Sequence, residues 1–446
     1  HVVQSEADQG VSSGHDGSRG VYDFPEWTMG GDKAMEDNRR IVIAAIGEKD
    51  ETGRAEDLLA LARMHVANGW GPEALGFLRI VLQSTPELET NPAFLALRGA
   101  ARALAGKYEL AVRDLSSPAL DGDREIPLWR AMVFAGLEDW RQAGAALPKD
   151  ALPVLSGYPA VLRDELAPVL AEIALRHGQV EEGEKLLNLM GGGEMPLRSD
   201  QEAARAYLKA EILRQKGKKE DALAAFKALA DGPDDLYRVK AGLAFVKLGL
   251  ETGTVAPKEA IDRLEGMRFG WRGDELEILV NARLGKAYLA DGQYAKGLSV
   301  LRDAATLDPE GPLAADIRAE MAQAFEDVFL TDRLDRLSPL DAITLYDAFR
   351  DLTPEGADGD VMIRRLAEAL VKADLLGRAS SLIQTLIDHR LSGPDAAQAA
   401  VRLAAIDLLD GRPEDAMASI NKALSLRGSV VDPGTLARMD RDLVLL

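Results

Sequence analysis

Apolar residues along the chain follow helical spacing, and a small residue recurs in the same phase ten times. The small residues are Ala74, Ala111, Ala143, Gly183, Ala222, Ala260, Gly297, Ala342, Ala379 and Ala416. A large side chain follows four positions later, at Leu78, Leu115, Leu147, Leu187, Phe226, Leu264, Leu301, Tyr346, Ile383 and Ile420. Residues four apart lie on one face of a helix. The pattern therefore predicts helices that repeat along the chain, with no strand-like alternation between them.

The stretch around Tyr288 and Tyr294 resembles a tetratricopeptide (TPR) repeat, a pair of antiparallel helices of about 34 residues. The matching residues are Leu284, Gly285, Tyr288, Gly292, Tyr294, Gly297, Leu301, Ala304 and Pro309. Glycine also stands five residues before the small residue in six repeats, at Gly69, Gly106, Gly178, Gly217, Gly292 and Gly411. A residue that follows a helix often needs positive φ, which glycine adopts without steric cost. The resemblance implies an all-α, TPR-like, right-handed α-solenoid of about ten helix pairs.

The repeats are expected to span residues 55–432, with insertions near 249–257 and 330–339. The insertions are either contact sites or decoration without a binding role. Residues 1–31 contain six glycines and little periodicity, which predicts an extended or disordered arm. Residues 32–48 read as a capping helix with Met35, Ile41, Val42 and Ala45 facing inward.

The run at 433–446 reads as the first helix of a further, truncated repeat. It ends in Leu-Val-Leu-Leu rather than in a polar cap. No Met stands at residue 1. We therefore expect the chain to be part of a longer protein.

Charge and composition narrow the class of partner. The net charge is −20, and the longest basic run is Lys216-Gly-Lys-Lys219. Binding to nucleic acid needs clustered Lys and Arg to neutralise phosphates, so we expect no nucleic-acid partner. No run of 18 apolar residues occurs, so direct membrane insertion is not expected.

Candidate chemistry is sparse. The chain has no cysteine, which excludes disulfides and thiolate chemistry. The histidines lie at 1, 15, 65, 177 and 389, and no two have metal-ligand spacing. Phosphate-binding loops and nucleophile motifs are also missing from the sequence. We predict no catalytic, cofactor-binding or metal-binding residues, and no enzyme activity.

Protein binding is the remaining function class. In TPR arrays the first helix of each pair commonly receives a peptide or a partner helix. Carrying that pattern over gives Arg63, Tyr207, Glu211, Arg214, Lys286, Arg364 and Glu368 as candidates, with Tyr207 and Arg214 as an anchor pair. For each of them an ordinary solvated helix position is the alternative.

A separate candidate is an aromatic docking segment in the N-terminal arm, made of Tyr22, Phe24 and Trp27. It could dock into a groove of this chain or of a partner. Alternatively, it covers the exposed face of the first repeat.

Several longer motifs resemble large exported TPR proteins of alphaproteobacteria, a family without a firmly assigned activity. They are residues 21–27, 118–123, 128–130, 270–277, 347–356 and 363–366. The resemblance implies a periplasmic location, with a cytoplasmic one as the alternative, and a TPR array that continues beyond this chain.

The predicted function is a protein-interaction scaffold of the bacterial envelope, for instance in a flagellar motor, pilus or secretion apparatus. One alternative is a TPR targeting or accessory module of a cell-wall enzyme. Another is a self-assembling solenoid, a homo-oligomer formed through the C-terminal end.

Overall fold

The computed structural model describes residues 20–28, 32–46, 51–273, 275–430 and 432–446. Two compact units make up the chain: unit 1 is His1–Leu248 and unit 2 is Gly249–Leu446. Within the described residues the regular structure is helical, with 24 α-helices and no strand. The predicted all-α fold is confirmed.

Unit 1 is a stack of antiparallel helix pairs. Its helices are α1 (Phe24–Trp27), α2 (Asp32–Ile46), α3 (Glu51–Ala67), α4 (Gly71–Ser84), α5 (Pro92–Leu104), α6 (Tyr108–Leu115), α7 (Ile126–Gly136), α8 (Trp140–Ala146), α9 (Ala151–Ser156), α10 (Ala160–Arg176), α11 (Val180–Leu187), α12 (Ser199–Gln215), α13 (Lys219–Ala230) and α14 (Asp235–Thr252), whose end enters unit 2. Short 3₁₀ turns lie at Pro86–Thr90 and Pro118–Leu120.

The first helices of the pairs contact one another in chain order, namely α3, α5, α7, α10 and α12. They form one layer, which α14 extends through the contact of its Tyr237 ring with Tyr207 of α12, and these helices together are called here the first-helix face.

Unit 2 continues the same pairing. Its helices are α15 (Pro257–Gly270), α16 (Glu275–Ala290), α17 (Tyr294–Leu307), α18 (Pro312–Leu330), α19 (Pro339–Phe349), α20 (Ala357–Lys372), α21 (Leu376–His389), α22 (Gly393–Leu409), α23 (Pro413–Leu426) and α24 (Pro433–Leu445). Turns of 3₁₀ helix lie at Leu334–Arg336, Arg350–Leu352 and Arg427–Ser429. Helix α24 packs against α22. Its identity as the start of a further repeat stays a prediction.

The recurring small residue marks the crossing of the two helices in a pair. All ten lie in second helices and are buried. At Gly285 an added Cβ would stand 2.6 Å from Cγ of Leu301, and at Gly297 it would stand 2.9 Å from the carbonyl oxygen of Gly285. Side chains do not fit at such distances, so the closest crossing requires glycine on both helices.

The turn inside eight of the ten pairs has a left-handed residue at the same register. All six predicted turn glycines have positive φ, between 68° and 81°. Four repeats lack glycine at this register, and two of them have Glu138 and Asp374 there, with φ of 60° and 61°. These are the two non-glycine residues with positive φ in the part of the chain that the structure describes. The turn geometry is therefore kept even where the sequence does not favour it.

Both insertions contribute buried side chains. After α14 the chain folds back so that Val255 is buried, and a Cβ at Gly249 would stand 2.3 Å from its Cγ2 atom. The second insertion buries Leu334 in a 3₁₀ turn that contacts α18. The pattern did not predict the extra helix α9 between the third and fourth pairs.

Two expectations near the N-terminus are wrong. Residues 20–28 are not an extended arm, because Phe24–Trp27 forms a helical turn and both Tyr22 and Phe24 are buried against unit 1. The rest of the predicted arm lies outside the described residues. In α2, Ile41 is 67% exposed, while Val42 packs against Leu61 and Met64. The amphipathic interpretation of residues 32–48 thus placed Ile41 on the wrong side of the helix.

The turn conformation leads to a stability prediction. A left-handed conformation costs a residue with a side chain about 1 kcal/mol, so Glu138→Gly should raise the free energy of unfolding by about that amount. Asp374→Gly should give a smaller gain, because Asp tolerates this region better than Glu. The reverse change, Gly217→Ala, should be destabilising by a similar amount. Urea unfolding followed by circular dichroism measures all three, and an unchanged or lower midpoint for Glu138→Gly would contradict the assignment.

Candidate interaction surface

The two histidines that the structure describes in unit 1, His65 and His177, have structural contacts. No group of three or more His, Asp or Glu side chains in the described part of the chain could hold a metal ion, and none of the described helices could span a membrane. His65 is fully buried, and its Nδ1 lies 2.6 Å from the carbonyl oxygen of Leu61. Burial lowers the pKa of His65, which keeps the ring neutral in the core. His177 likewise bonds to a carbonyl of its own helix.

The densest polar and aromatic cluster lies on α10, α12 and α14 of unit 1. The rings of Tyr207 and Tyr237 are 5.7 Å apart between centroids. The ammonium of Lys240 lies 5.9 Å from the first ring and 5.5 Å from the second. We call this cluster, together with Glu172 and Arg176, the Tyr207–Tyr237 surface.

Ion pairs hold the charged members of the surface in place. Glu172 accepts a hydrogen bond of 2.9 Å from Nη2 of Arg176, and its other oxygen lies 3.5 Å from Nζ of Lys240. The guanidinium carbon of Arg176 lies 3.7 Å from the ring centroid of Trp140 on α8. Cations above aromatic rings are attracted to the π-system. One carboxylate therefore orients two cations, and each cation also contacts at least one aromatic ring.

Burial sets the ionisation of the two tyrosines. It raises the pKa of both Tyr207 and Tyr237 well above the ordinary value, and the charge of Glu172 raises them further. Both hydroxyls remain protonated across the physiological range and can donate hydrogen bonds.

The predicted partner of Tyr207, Arg214, is engaged elsewhere. Arg214 forms an ion pair of 2.6 Å with Glu211, three residues earlier on the same helix. Gln215 donates to the same Glu211 carboxylate at 2.8 Å and to the carbonyl oxygen of Leu175 at 3.0 Å. The Tyr207–Arg214 anchor pair stays a prediction, whereas the contacts of Tyr207 are with Phe226, Tyr237 and Lys240.

A second cluster contains the aromatic docking segment, which is seated on unit 1 itself. Phe24 lies 4.7 Å from Tyr158 and 6.1 Å from Trp129, centroid to centroid, and the Tyr22 ring lies 5.7 Å from Trp129. Trp27 packs edge-on against Phe24 at 5.4 Å. The five rings form one continuous aromatic cluster.

Polar contacts fix the position of this segment. The hydroxyl of Tyr22 donates to the carbonyl oxygen of Ala96 in α5 at 2.9 Å. Its backbone N–H donates to Oε2 of Glu125 at 3.0 Å. The guanidinium carbon of Arg63 lies 5.6 Å from the ring centroid of Trp27. The segment therefore contacts the first three helix pairs. The alternative drawn from the sequence was that it covers the first repeat alone.

In unit 2 the three predicted residues lie on two helices, Lys286 on α16 and both Arg364 and Glu368 on α20. Lys286 pairs with Glu320 at 2.5 Å, and Glu368 pairs with Arg402 at 2.5 Å. Arg364 lines a groove of about 590 Å³ beside Leu337 and Lys372. Within unit 2, Arg364 and Glu368 line the same groove, and Lys286 lies on another helix.

Several residues of these clusters were missed from the sequence. Tyr237 and Lys240 are three positions apart, which places them on one helix face. The insertion after α14 changes the spacing between that helix and Ala260 of the next helix. The repeat pattern therefore could not place Tyr237 and Lys240. Glu125, Trp129 and Tyr158 contact the N-terminal segment across about a hundred residues of chain, and no local pattern reports such a contact.

Comparison with known proteins adds little beyond the helical repeat. No family model and no curated protein matches the chain. A tetratricopeptide repeat protein from Parabacteroides merdae superimposes with a TM-score of 0.39 at 15% identity, over 59% of this chain and 96% of that one. A Rap protein complexed with competence and sporulation factor gives 0.35 at 12% identity, over 87% and 99%. The APC/C hetero-tetramer Cut9-Hcn1 gives 0.33 at 14% identity, over 95% and 92%.

None of these superpositions reaches a TM-score of 0.5. The tetratricopeptide-like character of the chain therefore follows from its own helix pairs, buried small residues and left-handed turns.

The ionisation of the two half-buried tyrosines, Tyr207 and Tyr237, can be tested by titration. Because burial raises their pKa, the double change Tyr207→Phe and Tyr237→Phe should leave the tyrosinate absorbance at about pH 11 unchanged, although an exposed tyrosine is mostly ionised there. Ultraviolet titration of the native protein and the double variant gives the comparison. A loss equal to two tyrosinates at that pH would show that the surface is open to solvent and loosely packed.

Proposed function

We propose that the protein is a non-enzymatic scaffold that binds a protein partner through the first-helix face of unit 1, at the Tyr207–Tyr237 surface. The observation that carries this proposal is the placement of two tyrosines in tilted ring contact, a lysine and an oriented carboxylate on the three first helices α10, α12 and α14. Tyrosine and arginine are the residues on which binding energy concentrates at protein interfaces.

The chemistry of the surface defines the partner segment. The two rings offer apolar area and two hydroxyl donors, and Lys240 and Arg176 supply positive charge in a chain of net charge −20. A segment with an apolar side chain for the rings and a carboxylate for the cations fits this arrangement. Ion pairs already hold the charged side chains, so little side-chain entropy would be lost on binding.

The seated N-terminal segment supports the same function. Residues 20–28 lie on the helices of the first three pairs and bury two aromatic side chains there. The same unit therefore already holds an aromatic segment across several helix pairs.

The cellular setting is part of the proposal. We infer that the scaffold acts in the bacterial envelope, in the periplasm, within an assembly such as a flagellar motor, pilus or secretion apparatus. The lack of cysteine in 446 residues and the resemblance of its motifs to exported TPR proteins support this location.

Crosslinking and purification from native envelopes test the proposal. Lys240→Glu reverses the charge at the Tyr207–Tyr237 surface, whereas the control Lys185→Glu makes the same change on second helix α11, where the side chain is 61% exposed. A partner captured by the native protein should be lost at least fivefold with Lys240→Glu and kept with Lys185→Glu. Equal recovery with both variants, or no partner above background, would count against the proposed surface.

A further inference from the structure

The N-terminal aromatic segment is held on unit 1 mainly by its side chains. Its helix α1 is four residues long, far below the length at which an isolated helix is stable. Two hydrogen bonds join the segment to the rest of the described chain, one to Ala96 and one to Glu125. The remaining attachment is aromatic packing. Such a segment resembles a bound peptide more than a packed helix of the repeat.

The residues under the segment share a hydrophobic core with Tyr22 and Phe24 and also contact one another. We call the surface under the segment the aromatic groove and define it by Arg63, Ala96, Glu125, Trp129 and Tyr158. Nε1 of Trp129 donates to Oη of Tyr158 at 3.2 Å, which fixes both rings from inside unit 1. Ala96 and Trp129 belong to first helices whose mutual contacts do not involve residues 20–28. The groove is therefore expected to keep its shape when the segment leaves.

One contact of the segment is unlike the rest. The Glu125 carboxylate accepts the Tyr22 N–H, and the segment comes so close that a Cβ at Gly20 would stand 2.0 Å from Oε2. Covering a carboxylate with aromatic and backbone groups is costly unless it is paired with a cation. Glu125 accepts hydrogen bonds both from the segment and from Tyr158 of the surface beneath it, so the charge of this carboxylate affects how firmly the segment is seated.

We propose that residues 20–28 are a releasable ligand in cis, and that the aromatic groove also receives a partner segment of the same chemistry. That partner carries an aromatic-x-aromatic-x-x-aromatic pattern, a hydroxyl for the Ala96 carbonyl and a backbone N–H for Glu125. The groove shares no residue with the Tyr207–Tyr237 surface, so this proposal does not depend on the proposed function of that surface.

The charged and titratable groups around Glu125 predict how pH affects the release. Burial raises the pKa of Glu125 from 4.5 to about 7, opposed by the Tyr22 hydrogen bond, and Asp123 raises it further while Tyr158 and Arg124 lower it. Tyr22 and Tyr158 both have raised pKa values, so their hydroxyls stay neutral below pH 8. Because the pKa is higher with the segment seated than with the carboxylate exposed, seating is strongest below about pH 4.5 and weakens as pH rises through 7.

Peptide binding to the full chain tests the exchange. The probe is a fluorescent peptide of residues 20–28, Gly-Val-Tyr-Asp-Phe-Pro-Glu-Trp-Thr, followed by anisotropy. The release variant Tyr22→Ala with Phe24→Ala should bind it at least tenfold more tightly than the native chain, because its own segment no longer fills the groove. A control peptide with Phe24→Ala should bind neither chain. A folded release variant that binds no better than the native chain would overturn the proposal.

A second measurement covers the case in which the release variant loses helical structure. Hydrogen exchange of the native chain is followed with and without excess peptide. Displacement predicts that the amides of residues 22–28 exchange at least fivefold faster with peptide, while those of α5 are unchanged. Unchanged exchange in the segment would mean that it is a fixed part of the fold, and the proposal would be wrong.

Hydrogen exchange also tests the role of Glu125 in holding the segment. Between pH 5 and pH 8, after correction for intrinsic exchange, opening of residues 22–28 should rise at least fivefold in the native chain. Glu125→Gln keeps an acceptor for the Tyr22 N–H but does not titrate, so its profile should be flat. A native profile as flat as that of the variant would remove Glu125 from the release step.

Discussion

The close crossing of the two helices in each pair is the constraint on which the rest of the structure depends. A buried alanine or glycine on the second helix lets the first helix approach until Leu301 contacts Gly285, and the same register recurs ten times. With the pairs held at that distance, first helices meet first helices. The small residues fill the contact between the two helices of a pair. The proposed binding surfaces therefore lie on the layer that the first helices form with one another.

The polar and aromatic groups of this layer belong to side chains that do not take part in the helix crossing. In unit 1 these are aromatic side chains paired with cations, as at Tyr237 with Lys240, and aromatic side chains paired with one another, as at Trp129 with Tyr158. One of the two clusters is half-buried on α10, α12 and α14, and the other is covered by residues 20–28.

The sequence predicted the parts of the fold that depend on local spacing. The ten buried small residues and the six left-handed glycines follow from helix geometry within about forty residues, so periodicity was sufficient to find them. The seating of Tyr22 on Glu125 joins residues 103 positions apart, and the register of Tyr237 is displaced by an insertion. Neither has a periodic signature. Repeat register alone pairs Arg214 with Tyr207. The ion pair of Arg214 is instead with Glu211, on its own helix.

The central claim is that partners bind the first-helix face of unit 1. Site-specific photocrosslinking in native envelopes tests it most directly, with the crosslinking residue placed at Tyr237 in one variant and at Lys185 on a second helix in the other. The account predicts one discrete crosslinked product from position 237 and none from position 185. A product from position 185 alone would contradict it.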